Sequence, residues 1–230
     1  MQSLSAVKAT SLPNSAAAIA FRMPRHPAPS PTDPIDQIGT EVPFARNGQF
    51  YCEGEPATYL YRIISGVARI YRMTTEGRRQ IVAFYVPGDL FGFEAGETHM
   101  LSAEAITDTR VRMVKRTAMM NIAAEDDDVA HQLWLCVGRE IRRNQEHILQ
   151  FSRPARARVA SFLLEMSRRM PSANAAALSI SRQDIGDFLD LRIETVSRIL
   201  MRFARSGVIS FSNNRSISVR NPTFLAQLLA

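Results

Sequence analysis

Cysteine, tryptophan and long apolar runs are all scarce in this chain of 230 residues, and each scarcity removes a class of protein. Two cysteines, Cys52 and Cys136, cannot build the disulfide framework of a small secreted domain, so a reducing cytoplasm is the expected compartment. No apolar run approaches the ~20 residues that cross a bilayer. The N-terminal stretch AAAIAF has six residues, too few for a secretory core. A Gly-rich phosphate loop is missing, and no strand alternates with a helix as in a parallel nucleotide-binding sheet, which argues against a dehydrogenase or nucleotide hydrolase. The β-rich part shows no nucleophile–base pair or metal constellation, so an enzyme built on it is the weakest alternative.

Positive charge is present but unevenly placed. The chain carries 28 Lys plus Arg against 22 Asp plus Glu, a formal +6. Residues 152–230 hold 12 Arg, no Lys and 5 acidic residues, a formal +7, leaving 16 basic and 17 acidic residues in 1–151. A polyanionic partner accounts for this, because Arg forms directed bonds to phosphate and neutralised phosphates release counterions. A membrane surface is the competing partner. It is disfavoured because the basic residues accompany compact amphipathic segments, without a long helix studded with Trp or Phe.

Those segments lie in residues 181–220, ISRQDIGDFLDLRIETVSRILMRFARSGVISFSNNRSISVR. Ser181 and Asp184 have the spacing of a capping box, and Ile185, Phe188 and Leu189 give the following helix a buried face. A second helix is expected to begin near Ile193, with Val196, Ile199, Leu200 and Phe203 on one side and Glu194, Ser197 and Arg198 on the other. Gly207 supplies a stop. Ile209, Phe211, Ile217 and Val219 then alternate around Asn213-Asn214, a pair that tolerates the positive φ of a hairpin, so the whole reads as a winged helix-turn-helix. Glu, Ser and Arg on a helix are ordinarily a solvated face. Here the wing and the charge favour a base-reading one: Arg can fork onto guanine O6 and N7, Glu can accept from cytosine N4, and Ile193 can touch a thymine methyl.

Upstream, residues 1–35 are rich in Pro, Ala and Ser and are expected to be a disordered tail. Residues 36–124 form a β-rich domain, with strands expected at Tyr59 to Ile64, Val67 to Arg72 and Gln80 to Val86, and turns at Ser65-Gly66, Glu76-Gly77 and Pro87-Gly88-Asp89. Such spacing indicates a small antiparallel sandwich or barrel. Residues 125–151 form a long helix in which Ala130, Trp134, Val137, Ile141, Asn144, Ile148 and Phe151 follow a 4-3-4-3-4-3 spacing. That heptad seam suits pairing with a second copy, Asn144 fixing register, or burial against the chain's own β-domain. A two-fold dimer would bring two reading helices one DNA turn, about 34 Å, apart. Residues 152–230 are the DNA-binding domain.

The remaining reactive residues have plainer readings. Cys52 and Cys136 are expected as small buried hydrophobes, since neither has an evident cationic neighbour in sequence. His26, His99, His131 and His147 are scattered surface or loop residues, with His99 the single candidate for a haem ligand. The acidic run Glu125 to Asp128 is expected to offset a helix dipole. The turn Thr74 to Arg79 is expected to be charged and exposed.

A Gly-punctuated β-roll, a long helix and a C-terminal winged helix-turn-helix resemble the CRP/FNR superfamily of bacterial transcription regulators, over about residues 40–220. YLYRIISGVARIY and QIVAFYVPGDLFGF resemble the β-roll, and DIGDFLDLRIETVSRIL the DNA-binding signature. The resemblance implies an α+β fold with a cyclic-nucleotide-binding-like β-roll, a dimerisation helix, and a homodimeric activator that binds double-stranded DNA and recruits RNA polymerase. ETVSR is similar to the FNR and FixK-like branches, which read TTGA-type palindromes. It implies base contacts by Glu194, Ser197 and Arg198 with Ile193 beside them, and phosphate contacts by Arg182, Gln183, Arg192 and Thr195; the dimer seam of Trp134, Val137, Ile141, Asn144, Ile148 and Phe151 is read from the heptad spacing. Asp190 departs from the family's frequent Gly in the inter-helix turn, although Asp tolerates a left-handed conformation better than most residues.

Effector chemistry is read from what is missing. Family members that bind cyclic nucleotides hold the phosphate with an Arg-Ser pair, yet no Arg or Lys occurs between Arg79 and Arg110. Iron-sulfur sensors need four cysteines. The expectation is an activator with no cofactor, set by how much of it is made; the alternative is a sensor of the same fold gated by haem or a metabolite.

Overall fold

The computed structural model describes residues 35, 38–170, 180–213 and 216–229. The expected tail, apart from Ile35, lies outside the described residues, as do His26 and Asn214. Among the described residues, eight strands precede the long helices: β1 (Thr40–Phe44), β2 (Gln49–Tyr51), β3 (Tyr59–Ser65), β4 (Ala68–Met73), β5 (Arg79–Tyr85), β6 (Leu90–Phe91), β7 (Ser102–Ala105) and β8 (Thr109–Lys115). They form two antiparallel four-stranded sheets, ordered β1-β8-β3-β6 and β2-β7-β4-β5. The three strands expected from sequence are β3, β4 and β5, each within one residue at its ends. The turn between β3 and β4 needs Gly66, at φ +88°, because a Cβ there would lie 2.6 Å from the Asp108 carbonyl.

Aromatic rings fill the space between the sheets. Phe50, Tyr51, Tyr61, Tyr85 and Phe91 make one buried cluster, with Phe50 and Phe91 edge to face at 5.2 Å and Tyr61 stacked on Phe91 at 5.2 Å. Burial pushes the Tyr61 hydroxyl up to about 12 and raises Tyr51 and Tyr85 as well. His99 lies in a loop, as expected, but it is buried and not at the surface. It is 2% exposed, its ring stacks on Tyr51 at 3.5 Å, and its Nδ1 pairs with Glu94 at 3.2 Å. The expected exposure failed because the local polarity of ETHM gives no sign of an aromatic partner 48 positions earlier.

After β8 the described residues form the helices α1 (Arg116–Glu125), α2 (Asp127–Gln150), α3 (Ala155–Arg169), α4 (Arg182–Leu189), α5 (Ile193–Arg205) and α6 (Pro222–Gln227), with hairpin strands β9 (Ile209–Asn213) and β10 (Ser216–Val219) between the last two. α1 was not anticipated, although Met119, Ile122 and Ala123 sit at i, i+3 and i+4 and pack together with Leu60 and Leu90. The acidic run is a helix start: Asp126 caps α2, accepting from the Asp128 and Val129 amides.

α2 has two faces with different fates. Val129, Leu133 and Cys136 pack on the β-roll and α1. Tyr85 donates to Glu140 at 2.7 Å, and Arg143 reaches Asp89 at 2.9 Å. The heptad seam does not lie on this face, so its burial against the chain's own β-domain does not occur: Trp134 is 74% exposed, Ile148 67%, and Ile141 and Asn144 are exposed too. Val137 is half-buried, and Phe151 turns inward, its ring against His147 at 4.9 Å and under the Arg158 guanidinium.

Asp89 ties three parts of the chain together. Its carboxylate accepts from Arg143 on α2 and from Arg169 on α3 at 2.6 Å, and it also accepts from the Val86 amide. Beyond this junction, His147 stacks on Phe188 of α4 at 4.1 Å, and desolvation lowers its pKa from 6.5 to about 4. The unfolded chain therefore takes up a proton near pH 6.5 that the folded chain refuses until about pH 4. This stability is fully present above the unfolded value and is lost as pH falls through that window. Denaturant midpoints measured from about pH 7 down to about pH 5 should fall for the parent chain and fall less for His147→Phe, at fixed protein concentration.

Candidate nucleic-acid interface

The interface is built on α4, α5 and the β9–β10 hairpin. Ser181 caps α4, accepting from the Asp184 amide at 3.0 Å and donating its hydroxyl to the Asp184 carboxylate at 2.7 Å. Ile185 and Leu189 are fully buried, and Phe188 meets Phe84 and Phe162. α4 ends on Asp190 in the left-handed conformation, φ 52° and ψ 52°, as the residue type allows. Gly186 lets the chain fold back: the Leu191 amide donates to the Gly186 carbonyl, and a Cβ on Gly186 would lie 2.6 Å from the Leu191 oxygen.

α5 starts at Ile193 with Arg192 as its cap. Val196, Leu200 and Phe203 are buried in the core that also takes α3 and the hairpin, with Ile199 half-buried beside them. The helix is thereby fixed in rotation. Glu194 and Arg198 are exposed, Ser197 is half-buried, and Ile193 is 38% exposed. Among the described residues none of Glu194, Ser197 or Arg198 makes a side-chain hydrogen bond or ion pair. Their donors and acceptors are committed to no partner among the described residues.

The residues expected at phosphates lie around this face. Arg192 is exposed at the N-terminus of α5, where helix amides and dipole already favour an anion. Arg182 lies over the Phe211 ring at 5.5 Å, bringing its charge to the base of the hairpin. Gln183 is exposed and donates to Asp187 at 2.5 Å, while Thr195 is half-buried. Arg202 and Arg205 extend the exposed positive charge along α5, and Arg220 bonds Ser210 at the edge of the hairpin.

Several supporting residues were missed. Arg158 of α3 donates to the Leu189 carbonyl at 3.0 Å, closing the C-terminus of α4. Arg156 lies over Phe203 and Phe224 at 5.7 and 5.8 Å, bracing α5 against α6. Both were read only as part of a charge surplus, because the Leu189 carbonyl lies 31 positions from Arg158 and the rings that Arg156 covers lie 47 and 68 positions from it. The cysteines also differ from expectation. Both are half-buried, and Arg139 donates to Cys136 Sγ at 3.0 Å, a cationic neighbour one helical turn on. The Thr74 to Arg79 turn is exposed at its tip, where Arg78 pairs with Glu76, but Arg79 turns in towards α4. Among the described residues there is no group of three or more potential metal ligands, and no helix is long and apolar enough to cross a membrane.

Two family models match the chain: a cyclic nucleotide-binding domain over residues 41–126 and a Crp-like helix-turn-helix domain over residues 157–228. The nitrogen fixation regulation protein FixK of Azorhizobium caulinodans is 41% identical over 204 residues, covering 86% of this chain and 82% of that protein. The FixK of Rhizobium meliloti is 34% identical, covering 88% and 92%. The solved structure of FixK2 from Bradyrhizobium japonicum superposes with a TM-score of 0.78 at 45% identity, covering 84% of this chain and 98% of that one. The chain belongs to the CRP/FNR family of DNA-binding transcription regulators, with the α+β architecture of that family.

The inter-helix turn gives a paired expectation. Gly186→Ala should lower stability by roughly 1 to 3 kcal/mol, since backbone must move to admit the methyl. Asp190→Gly should leave stability unchanged or raise it by up to about 1 kcal/mol, the left-handed strain being relieved. Denaturant unfolding of the two variants checks both signs.

Proposed function

We propose that this CRP/FNR family member is a cytoplasmic homodimer that reads a TTGA-like palindrome and activates transcription by recruiting RNA polymerase, without a small-molecule effector. The observation that carries the reading is the one-sided exposure of α5: its apolar side is buried, while Glu194, Ser197 and Arg198 stand unpaired at the surface beside Ile193. Arg198 would fork onto a guanine, Glu194 would accept from a cytosine amine, and Ser197 would bond either base type. Arg182, Gln183, Arg192 and Thr195 would hold the flanking phosphates and fix register. In this reading residues 36–124 are the β-roll, 125–151 the dimerisation helix and 152–230 the DNA-binding domain.

The exposed seam on α2 supports a two-fold dimer. Trp134, Ile141 and Ile148 stand out from the chain as large apolar groups, and a second copy would cover them and set two α5 helices facing successive major grooves. Asn144, exposed between them, would hold the register. Effector independence is supported by the aromatic filling of the β-roll and by the lack of any Arg or Lys from 80 to 109 that could neutralise a phosphate there. His99, the one haem candidate, already stacks on Tyr51 and bonds Glu94. An absorption spectrum and a mass spectrum of the purified protein test this directly, and a bound haem or metabolite would replace the reading with a ligand-gated one. The exposed Glu76–Arg78 tip supports a polymerase-facing surface on the β-roll.

Two outcomes are expected. Arg198→Ala should cost about 1 to 3 kcal/mol on the matching palindrome and relax selection at one base pair, whereas Arg182→Ala should weaken all sequences alike and flatten the salt dependence. Binding titrations on matched, single-substituted and scrambled DNA at several salt concentrations separate them, and identical behaviour would remove the division into readers and anchors. Ile141→Asp should abolish palindrome binding at low protein concentration while leaving the winged domain folded, as read by sedimentation and circular dichroism. Unchanged binding by a monomeric variant would remove the two-half-site reading.

A further inference from the structure

The winged domain is joined covalently to the β-roll and α2 through Phe151 to Pro154, yet it is gripped again by residues more than 100 positions away. Arg69 on β4 donates from Nη1 to Asp184 Oδ1 at 2.6 Å and from Nη2 to Glu104 at 3.0 Å. Arg79 on β5 donates from Nη2 to the same Asp184 oxygen at 2.5 Å, and from Nε and Nη2 to Asp187 Oδ2 at 3.2 and 3.1 Å. Both guanidinium groups also lie about 6 Å from the Tyr71 ring centroid. Asp184, 3% exposed, also accepts from the Ser181 hydroxyl at the start of α4. One carboxylate therefore serves the start of the helix-turn-helix and the grip of the β-roll.

The same boundary holds an apolar contact, Phe84 against Phe162 and Phe188 at 5.7 and 5.1 Å. Apolar contact gives adhesion but is non-directional, so by itself it permits the domain to rock or rotate. Guanidinium forks onto two carboxylates a helical turn apart do not, because charge-assisted bonds are directed. α4 is in turn locked to α5 by the close Gly186–Leu191 approach and the Asp190 turn. Orienting α4 thus orients α5.

We infer that Arg69 and Arg79 of the β-roll are positioning residues for DNA recognition: by gripping Asp184 and Asp187 they set the angle at which α5 is presented, and so the half-site separation that the dimer accepts. The inference rests on the two-half-site reading above and deepens it. Neither arginine touches DNA in this role.

The test uses the full chain and a series of palindromes whose half-sites are moved apart or together one base pair at a time, each step turning one half-site by about 35°. Arg79→Gln and Asp187→Asn replace partly exposed groups at the rim of the network, leaving buried Asp184 and Arg69 in place. The parent chain should prefer its best spacing over the neighbouring one by about tenfold or more, and each variant should reduce that preference to about threefold or less, with the double variant no worse than either single one. The preference is a ratio, so a uniform change of affinity from the altered charge cancels. If both single variants keep the parent's spacing preference, whatever they do to thermal stability, the residues are structural and the inference is overturned. Additive losses in the double variant would overturn it as well, since two ends of one clamp cannot act independently. If the parent chain shows no two-half-site binding, the reading under Proposed function fails first and the inference falls with it.

Discussion

One helix is held by one side. Val196 and Leu200 are fully inaccessible and Phe203 nearly so, and they share a core with Val159, Phe162 and Leu163 of α3 and with Ile209 and Ile217 of the hairpin. Rotating α5 by half a turn would expose those side chains, at about 1.5 to 3 kcal/mol apiece, and bury Glu194 and Arg198 without partners. The polar face is therefore turned outward by the core behind it, and its bonding groups are left unspent. The short turn at Gly186 and Asp190, the Arg158 cap and the Arg156 brace all serve to hold that helix in place.

The joints of the molecule repeat one chemical solution. Asp89 and Asp184 are buried carboxylates, each gripped by two arginines from other elements: Arg143 and Arg169 for the first, Arg69 and Arg79 for the second. Such groups are costly to bury and costlier still to leave with one partner, so each joint is specified more sharply than apolar packing alone would achieve. The arginine content of the chain is divided accordingly. Arg192, Arg198, Arg202 and Arg205 face solvent along α5, whereas Arg69, Arg79, Arg143 and Arg169 bond carboxylates within the protein.

Elements with their own start signals and periodicity were legible in the sequence. The cap at Ser181, the start at Ile193, the long helix α2 and the strands flanked by Ser65-Gly66 and Glu76-Gly77 are all local patterns, and the structure has them within a residue or so. α1 escaped because a short helix after β8 was absorbed into a β-rich region. The environments of His99 and Arg79 escaped for a different reason: each depends on a partner that local pattern does not identify, Tyr51 across the β-roll or Asp184 more than 100 positions on, whereas Arg139, one turn from Cys136 along an expected helix, was legible and overlooked. Composition showed that residues 152–230 carry the surplus positive charge, but not which arginines would be spent on the protein itself.

The most direct measurement is selection of DNA from a random pool by the purified full chain with no effector added. The account predicts enrichment of a two-fold symmetric sequence with TTGA-like arms whose centres lie about one helical turn, roughly 34 Å, apart. A pool that stays random, or one enriched for a single asymmetric half-site, would contradict it.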